Sequence, residues 1–282
     1  MDFIIDFFKV VFLGIVQGIT EWLPISSTGH LMLFESIFIL PKENILTEDF
    51  MTMFRVVIQF GSILAVVAVF FRKLNPFDAK KDQMQKNETW TMWIKVVISC
   101  LPAAILGFLL DDWLDNNIFN EDNKIIAISI ALIVYGFLFI FIENYKNGKG
   151  YKIGTIAELS YMTAFMIGLC QVLALVPGTS RSGATILGAI ILGCSRKTAA
   201  EFSFFLAIPV MAGASFLKIV KAPAFGSIQI IMLFIGTAVA FVVSVFAVKF
   251  LMNFVRKHDF KPFGYYRIVI GLIILAAFAL NR

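Results

Sequence analysis

Charge is scarce in this chain: acidic and basic residues make up 15% of its 282 positions against 59% hydrophobic ones, with a mean hydropathy of +0.86. So little charge excludes an ordinary soluble domain, and so much apolar surface excludes a disordered one. The chain reads as an integral membrane protein. Cysteine is also sparse. Cys100, Cys170 and Cys194 all lie in or beside apolar runs, and an odd count there argues against a disulfide framework and for core packing. Low-complexity tracts and a soluble extra domain are missing, and the polar stretch 75–88 is long enough only for a connector. The formal charge of +5 does not imply a nucleic-acid partner, because the basic residues fall in loops between apolar runs, where membrane orientation accounts for them.

Apolar runs are what the chain has in plenty. Runs long enough to cross a hydrocarbon layer of roughly 30 Å occupy 51–71, 93–110, 125–142, 202–220, 228–252 and 264–280. Two more, 31–40 and 184–192, are about half the required length, and each follows a short polar motif. They read as returning arms of re-entrant hairpins. The ingoing arms would be 3–18 and 156–175, broken near Pro24 and Pro177, since proline cannot continue a helical hydrogen-bond ladder. Broken backbone at this depth is tolerable only inside protein or beside a wet cavity.

The expected fold is therefore an all-α polytopic membrane protein with an inverted-topology repeat, built from six transmembrane helices plus two re-entrant helical hairpins. One membrane domain, 1–282, holds repeat one, about 1–143 with hairpin 3–40, and repeat two, about 155–282 with hairpin 156–194. Three crossings per half, an odd number, invert the second half relative to the first. On this reading loops 72–92, 143–160, 195–200 and 253–263 share one side and carry most of the lysines and arginines. That side is expected to be cytoplasmic. The opposite loops hold only Lys42, Lys124 and Lys221, with an acidic group at Asp111, Asp112, Asp115, Glu121 and Asp122.

The two polar motifs sit 154 residues apart in matching register: shifting by that number superposes Gly14 on Gly168, Gln17 on Gln171, Ser26 on Ser180 and Gly29 on Gly183. Hydroxyls, a carboxylate, an imidazole and a guanidinium at membrane depth carry a functional reading by default. In the first motif Gln17 and Glu21 are four apart and share a helix face. A carboxylate beside an amide oxygen suits a hard divalent cation completed by water and phosphate oxygens; bonding to neighbouring groups is the alternative. Ser26 or Ser27 can cap the returning arm, and His30, three residues beyond Ser27, allows a Ser-His relay.

The second motif sets Arg181 among Thr179, Ser180, Ser182 and Thr185 at the start of a half-helix, where free N–H groups and the helix dipole attract anions. Arg181 would hold phosphate bidentately, or pair with Glu21 and lock the hairpins together. An acid, a metal site, an imidazole, a hydroxyl and an anion cradle together are equipment for phosphoryl transfer. Arg55 with Gln59, Lys249 and Arg267 read as snorkelling near span ends, and His258 as a solvated loop residue.

These residues resemble the bacterial undecaprenyl-diphosphate phosphatases of the bacitracin-resistance type. The (E/Q)-x-x-x-E and P-x-S-S-T-G-H elements of that family match Gln17, Glu21, Pro24, Ser26, Ser27, Thr28, Gly29 and His30. Its P-G-x-S-R-S-x-x-T element matches Pro177, Gly178, Ser180, Arg181, Ser182 and Thr185. The resemblance implies a phosphatase of a polyprenyl diphosphate lipid, using Mg²⁺ or Ca²⁺ at Glu21 and Gln17. Such an enzyme would sit among membrane lipid in the bacterial cytoplasmic membrane, with its active site open to the outer face. Glu21, Ser27, His30 and Arg181 would be catalytic; Gln17, Ser26, Thr28, Gly178, Ser180, Ser182 and Thr185 would bind substrate. His30 would either activate Ser27 or protonate the leaving group while water attacks. A homodimer stays open. Two positions depart from expectation: Gln17 where many members have Glu, and Arg55 where Glu is expected. Phosphatidate-type lipid phosphatases also use an S-G-H-like element, but they need a second catalytic histidine and only His258 is left. A carrier or flippase for the lipid phosphate is the rival from another class, though a carrier needs no general acid or metal.

Overall fold

A computed structural model describes residues 2–38, 45–117, 121–220 and 222–280, and they are overwhelmingly helical. In chain order come α1 (Asp2–Thr20), α2 (Ser27–Phe38), α3 (Glu48–Val69), a single turn α4 (Phe71–Leu74), α5 (Gln83–Asn117) and α6 (Glu121–Lys146). The second half follows as α7 (Tyr161–Val172), a 3₁₀ turn (Leu173–Leu175), α8 (Arg181–Ile191), α9 (Arg196–Val220), α10 (Ser227–Phe254) and α11 (Lys261–Leu280). Helix is what lipid imposes, because each backbone N–H and C=O must be satisfied within its own segment. Local signals place the starts: Thr47 Oγ1 accepts the Phe50 N–H at 3.2 Å and Ser160 Oγ accepts that of Thr163 at 3.0 Å, relieving donors that a helix start leaves free.

Seven of the described helices are long and apolar enough to cross a membrane. The protein is an all-α, multi-pass membrane protein. The seventh is α1, expected above as an ingoing hairpin arm; its 19 helical residues extend about 28 Å at the standard rise. In the second half the corresponding α7 and α8 have only 12 and 11 residues, and neither spans more than about 18 Å. Residues 39–40 at the end of the first hairpin, Lys42 and Lys221 lie outside the described residues, as do the side chains of Asp111, Asp112, Asp115, Glu121 and Asp122.

Packing pairs the halves. α1 lies along α10 as α7 lies along α5, α3 meets α9, α6 meets α11, and each hairpin folds on itself through α1 with α2 and α7 with α8. Small residues make the closest approaches, as helix pairs in lipid require. An added Cβ at Gly168 would lie 2.2 Å from the Ser99 carbonyl oxygen of α5, and one at Gly14 would lie 2.9 Å from that of Gly236 in α10. Trp22, Phe202, Phe204, Phe205 and Phe260 are fully buried in the larger core cluster, with Trp22 of the first hairpin turn edge-on to Phe204. Outward, Phe108, Phe234 and Phe246 are exposed, as a lipid-facing surface demands.

Candidate active site

Both motifs end in the same strained turn. Ser26 and Ser180 are the two non-glycine residues with positive φ among the described residues, at 73° and 70°. That region is disfavoured for any side chain and persists only where surroundings enforce it. Here the enforcement is a cap: Ser26 Oγ accepts the Gly29 N–H at 3.4 Å, and Ser180 Oγ accepts the Gly183 N–H at 3.2 Å. The turn starts a new helix beside each proline and leaves the adjacent residue, Ser27 or Arg181, at the head of α2 or α8.

Those heads meet at a cavity of about 170 Å³ lined by Glu21, Ser26, Ser27, Thr28, Gly178, Ser180, Arg181 and Ser182, with Gln59, Ala174, Val176, Pro177 and Met211 also contributing to the wall. Arg181 Nη2 donates to Glu21 Oε1 at 3.2 Å, and Nη1 donates to the Ser203 carbonyl at 2.9 Å. The other carboxylate oxygen, Oε2, accepts from Ser27 Oγ at 2.8 Å and from Gln17 Nε2 at 3.1 Å. Glu21 is thus the hub of the site. Ser180 and Ser182 hydroxyls face one another at 3.1 Å. The first-turn N–H groups of α8 at Arg181 and Ser182 have no intrahelical partner, so cation and helix end point at one small space.

Eight of the sequence candidates line that space and three stand behind it. Gln17 buttresses Glu21. Thr185 Oγ1 donates to the Arg181 carbonyl at 2.9 Å and meets Ser203 Oγ at 2.7 Å, holding the guanidinium's helix in place. His30 is not partnered with Ser27 as the spacing suggested. Its Nδ1 donates to the Ser26 carbonyl at 2.7 Å, and Nε2 lies 2.8 Å from the Tyr266 hydroxyl, whose ring stacks on the imidazole. A carbonyl only accepts, so Nδ1 carries the proton and Nε2 is the basic nitrogen. The hydrogen of Ser27 goes to Glu21 instead.

The family described as bacitracin resistance protein BacA matches residues 10–273. The chain belongs to the BacA family. Proteins named undecaprenyl-diphosphatase from Enterococcus faecalis and Acetivibrio thermocellus are each 53% identical to it, over 274 and 279 residues. The first alignment covers 96% of both chains, the second 99% of this chain and 100% of the relative. Undecaprenyl-diphosphatase 1 of Clostridioides difficile is 52% identical, over 98% of each chain.

Two positions of this BacA-family chain, Arg267 and Gln59, are not peripheral as the sequence suggested. Arg267, expected to snorkel, is fully buried: Nη1 donates to the Pro24 carbonyl at 3.0 Å, and Nη2 to those of Gly178 and Thr179 at 3.0 and 2.9 Å. One planar fork staples both motif turns, while Tyr135 lies under the guanidinium at 5.3 Å. Gln59 lines the cavity. Arg55 pairs through Nε with Glu35 of α2 at 3.1 Å, its side chain still 43% exposed. Tyr266 and Ser203 were not singled out at all, since a hydroxyl in an apolar run carries no signal until packing aims it.

A divalent cation is implied by the family, and the donor set tests it. Among the described residues no three His, Cys, Asp or Glu side chains cluster as ligands. Gln17 Oε1 is buried with no hydrogen-bond partner beside the Glu21 carboxylate. One carboxylate and one spare amide oxygen fit a hard cation that takes its other ligands from phosphate and water.

Proposed function

We propose that this chain hydrolyses undecaprenyl diphosphate to undecaprenyl phosphate and inorganic phosphate. The observation that carries this reading is the Ser27–Glu21–Arg181 chain of hydrogen bonds, set at the N-terminus of α8 in a protein about half identical to undecaprenyl-diphosphatases along nearly its whole length. Removal of the terminal phosphate returns the lipid carrier for cell-wall synthesis and deprives bacitracin of the diphosphate it sequesters.

The terminal phosphate enters the 170 Å³ cavity and takes Arg181, the free N–H groups of α8 and the Ser180 and Ser182 hydroxyls as its ligands. Arg181 then exchanges Glu21 for phosphate oxygens, which releases Glu21 Oε1. Ser27 Oγ attacks the terminal phosphorus as Glu21 Oε2 takes its proton. The bond from phosphorus to the bridging oxygen breaks, undecaprenyl phosphate leaves, and water hydrolyses the phosphoserine. His30 holds the Ser26 carbonyl and so fixes the strained turn that aims Ser27. Gln17 and Glu21 would hold a Mg²⁺ or Ca²⁺ ion, whose contribution is to neutralise phosphate charge.

The reading extends to orientation. The paired contacts of α1 with α10 and α7 with α5, together with two serine caps of matching geometry 154 residues apart, support an inverted repeat. Basic loops at 72–92, 143–160, 195–200 and 253–263 favour a cytoplasmic location for that end, in the bacterial inner membrane with the cavity opening outward. The test is phosphate release from undecaprenyl diphosphate by purified protein, with and without EDTA, for the wild type, Glu21→Ala and Arg181→Ala. Loss of at least about a hundredfold in both variants is expected; equal rates in all three proteins overturn the site.

A further inference from the structure

A second cavity, of about 850 Å³, opens at the end of the molecule that carries the basic loops and shares no lining residue with the active site. Its walls are α4, the first turns of α5 and α9, and the loop 154–157. Its size is that of a small-molecule site. Five cations line it, Arg72, Lys73, Lys81, Lys95 and Lys197, against two carboxylates, Glu88 and Glu201.

Partnering divides these cations into wall and ligand groups. Lys73 pairs with Glu201. Lys81 Nζ is spent on the carbonyls of Lys73 and Asn75 and on Thr89 Oγ1. Arg72 and Lys197 are exposed and make no hydrogen bond or ion pair among the described residues. Lys95 is the decisive one: only 4% exposed, it donates to the Ile156 and Ala157 carbonyls at 3.0 and 2.9 Å and has no carboxylate partner among the described residues. Its ammonium faces the cavity with neutral acceptors alone as partners, so its charge is free to meet an anion there, and its third N–H is uncommitted.

Capping confirms where the attraction originates. Asp82 Oδ1 already takes the Gln85 N–H at 2.8 Å and Ser195 Oγ the Thr198 N–H at 3.1 Å, so the side-chain cations rather than the helix ends would grip an anion. Met84, Met92 and Phe205 give the same cavity an apolar flank. Phe77 and Trp90, packed edge to face at 5.8 Å, are exposed at the same end, the placement of aromatic side chains at a membrane interface.

We propose that this cavity binds a phosphate-bearing anion, with Arg72 and Lys197 closing over it and Lys95 beneath. A lipid headgroup and free phosphate share that chemistry. Basic pockets between helices at a membrane surface favour the headgroup, and the apolar flank gives its chains a path.

Detergent-solubilised, full-length wild type and Arg72→Gln/Lys197→Gln protein would be titrated with dioleoyl phosphatidylglycerol, dioleoyl phosphatidylcholine or sodium phosphate, and bound ligand counted by native mass spectrometry. Both substituted residues are exposed and unpartnered, so the double variant should melt as the wild type does. Phosphatidylglycerol is expected to bind the wild type and to bind the double variant about thirtyfold more weakly, at about one kcal/mol per lost cation, while phosphatidylcholine binds neither. If sodium phosphate alone shows the difference between the two proteins, the site stands with the free ion as its ligand. Equal binding of both phosphate ligands to the two proteins overturns it. None of these readouts passes through Glu21 or Arg181, so failure here leaves the proposed hydrolysis untouched.

Discussion

Tyr266 decides what His30 can do. With Nδ1 committed to the Ser26 carbonyl and Nε2 to the Tyr266 hydroxyl, the imidazole is braced at both nitrogens, and rotation would release the turn carrying Ser27. Tyr266→Phe removes one hydroxyl and keeps the stacked ring. We expect kcat to fall about tenfold with KM and melting temperature nearly unchanged, in line with loss of one positioning hydrogen bond; an unchanged kcat would mean the brace at Nδ1 suffices. Arg267→Lys is the harsher change, because an ammonium lacks the planar fork that reaches Pro24, Gly178 and Thr179 together. Losing at least one charge-assisted hydrogen bond, about 2 kcal/mol, should lower the melting temperature by about 5 °C and reduce activity, both measurable on purified protein. Glu21, Ser27 and Arg181 were legible in the sequence because polar groups at membrane depth are rare and theirs come in a motif. Arg267 was not, since a lone arginine near the end of an apolar run looks the same whether it snorkels or turns inward. Only the packing of α11 on α6 selects the inward face.

Among the elements, the decisive contacts are between backbones. α7 is too short to span the membrane alone, so its position depends on α5, and Gly168 is the point of contact. Gly168→Ala would drive a methyl into the Ser99 carbonyl, where 2.2 Å is available, and no rotamer change relieves a clash with backbone. Gly107→Ala is the control, its added carbon meeting nothing nearer than Leu175 Cδ2 at 3.5 Å. The first should destabilise by about 1–3 kcal/mol as overpacking does, and the second should be neutral or slightly stabilising through helix propensity. Thermal unfolding in detergent separates them, and similar melting temperatures would show that α7 is free to slide. The role of α1 was the element least legible beforehand. Its run 3–18 reads as an ingoing hairpin arm because it leads into the break near Pro24, while the helix takes in Asp2 and Thr20 and is long and apolar enough to cross a membrane.

At the scale of the whole molecule, the placement of the chemistry follows from which end faces the cytoplasm. The loop after α6 carries Lys149 and Lys152, next to Lys146 at the helix end, whereas the described part of the loop before α10, residues 222–226, carries no charge. The re-entrant hairpin α7–α8 and the single long helix α9 separate these loops, and one crossing puts them on opposite sides of the membrane. Cysteines placed at Lys149 and Ala224, both exposed, report this directly, because the native Cys100 and Cys170 are only partly exposed and Cys194 is buried. A membrane-impermeant maleimide should label Ala224→Cys in intact cells and Lys149→Cys only after permeabilisation, with the wild type silent in both. The positive-inside bias is strongest in short loops like these, so the expected pattern is all-or-none. Labelling of position 149 from outside would invert the molecule, and the basic cavity between α5 and α9, rather than the Glu21–Arg181 site, would then face the exterior.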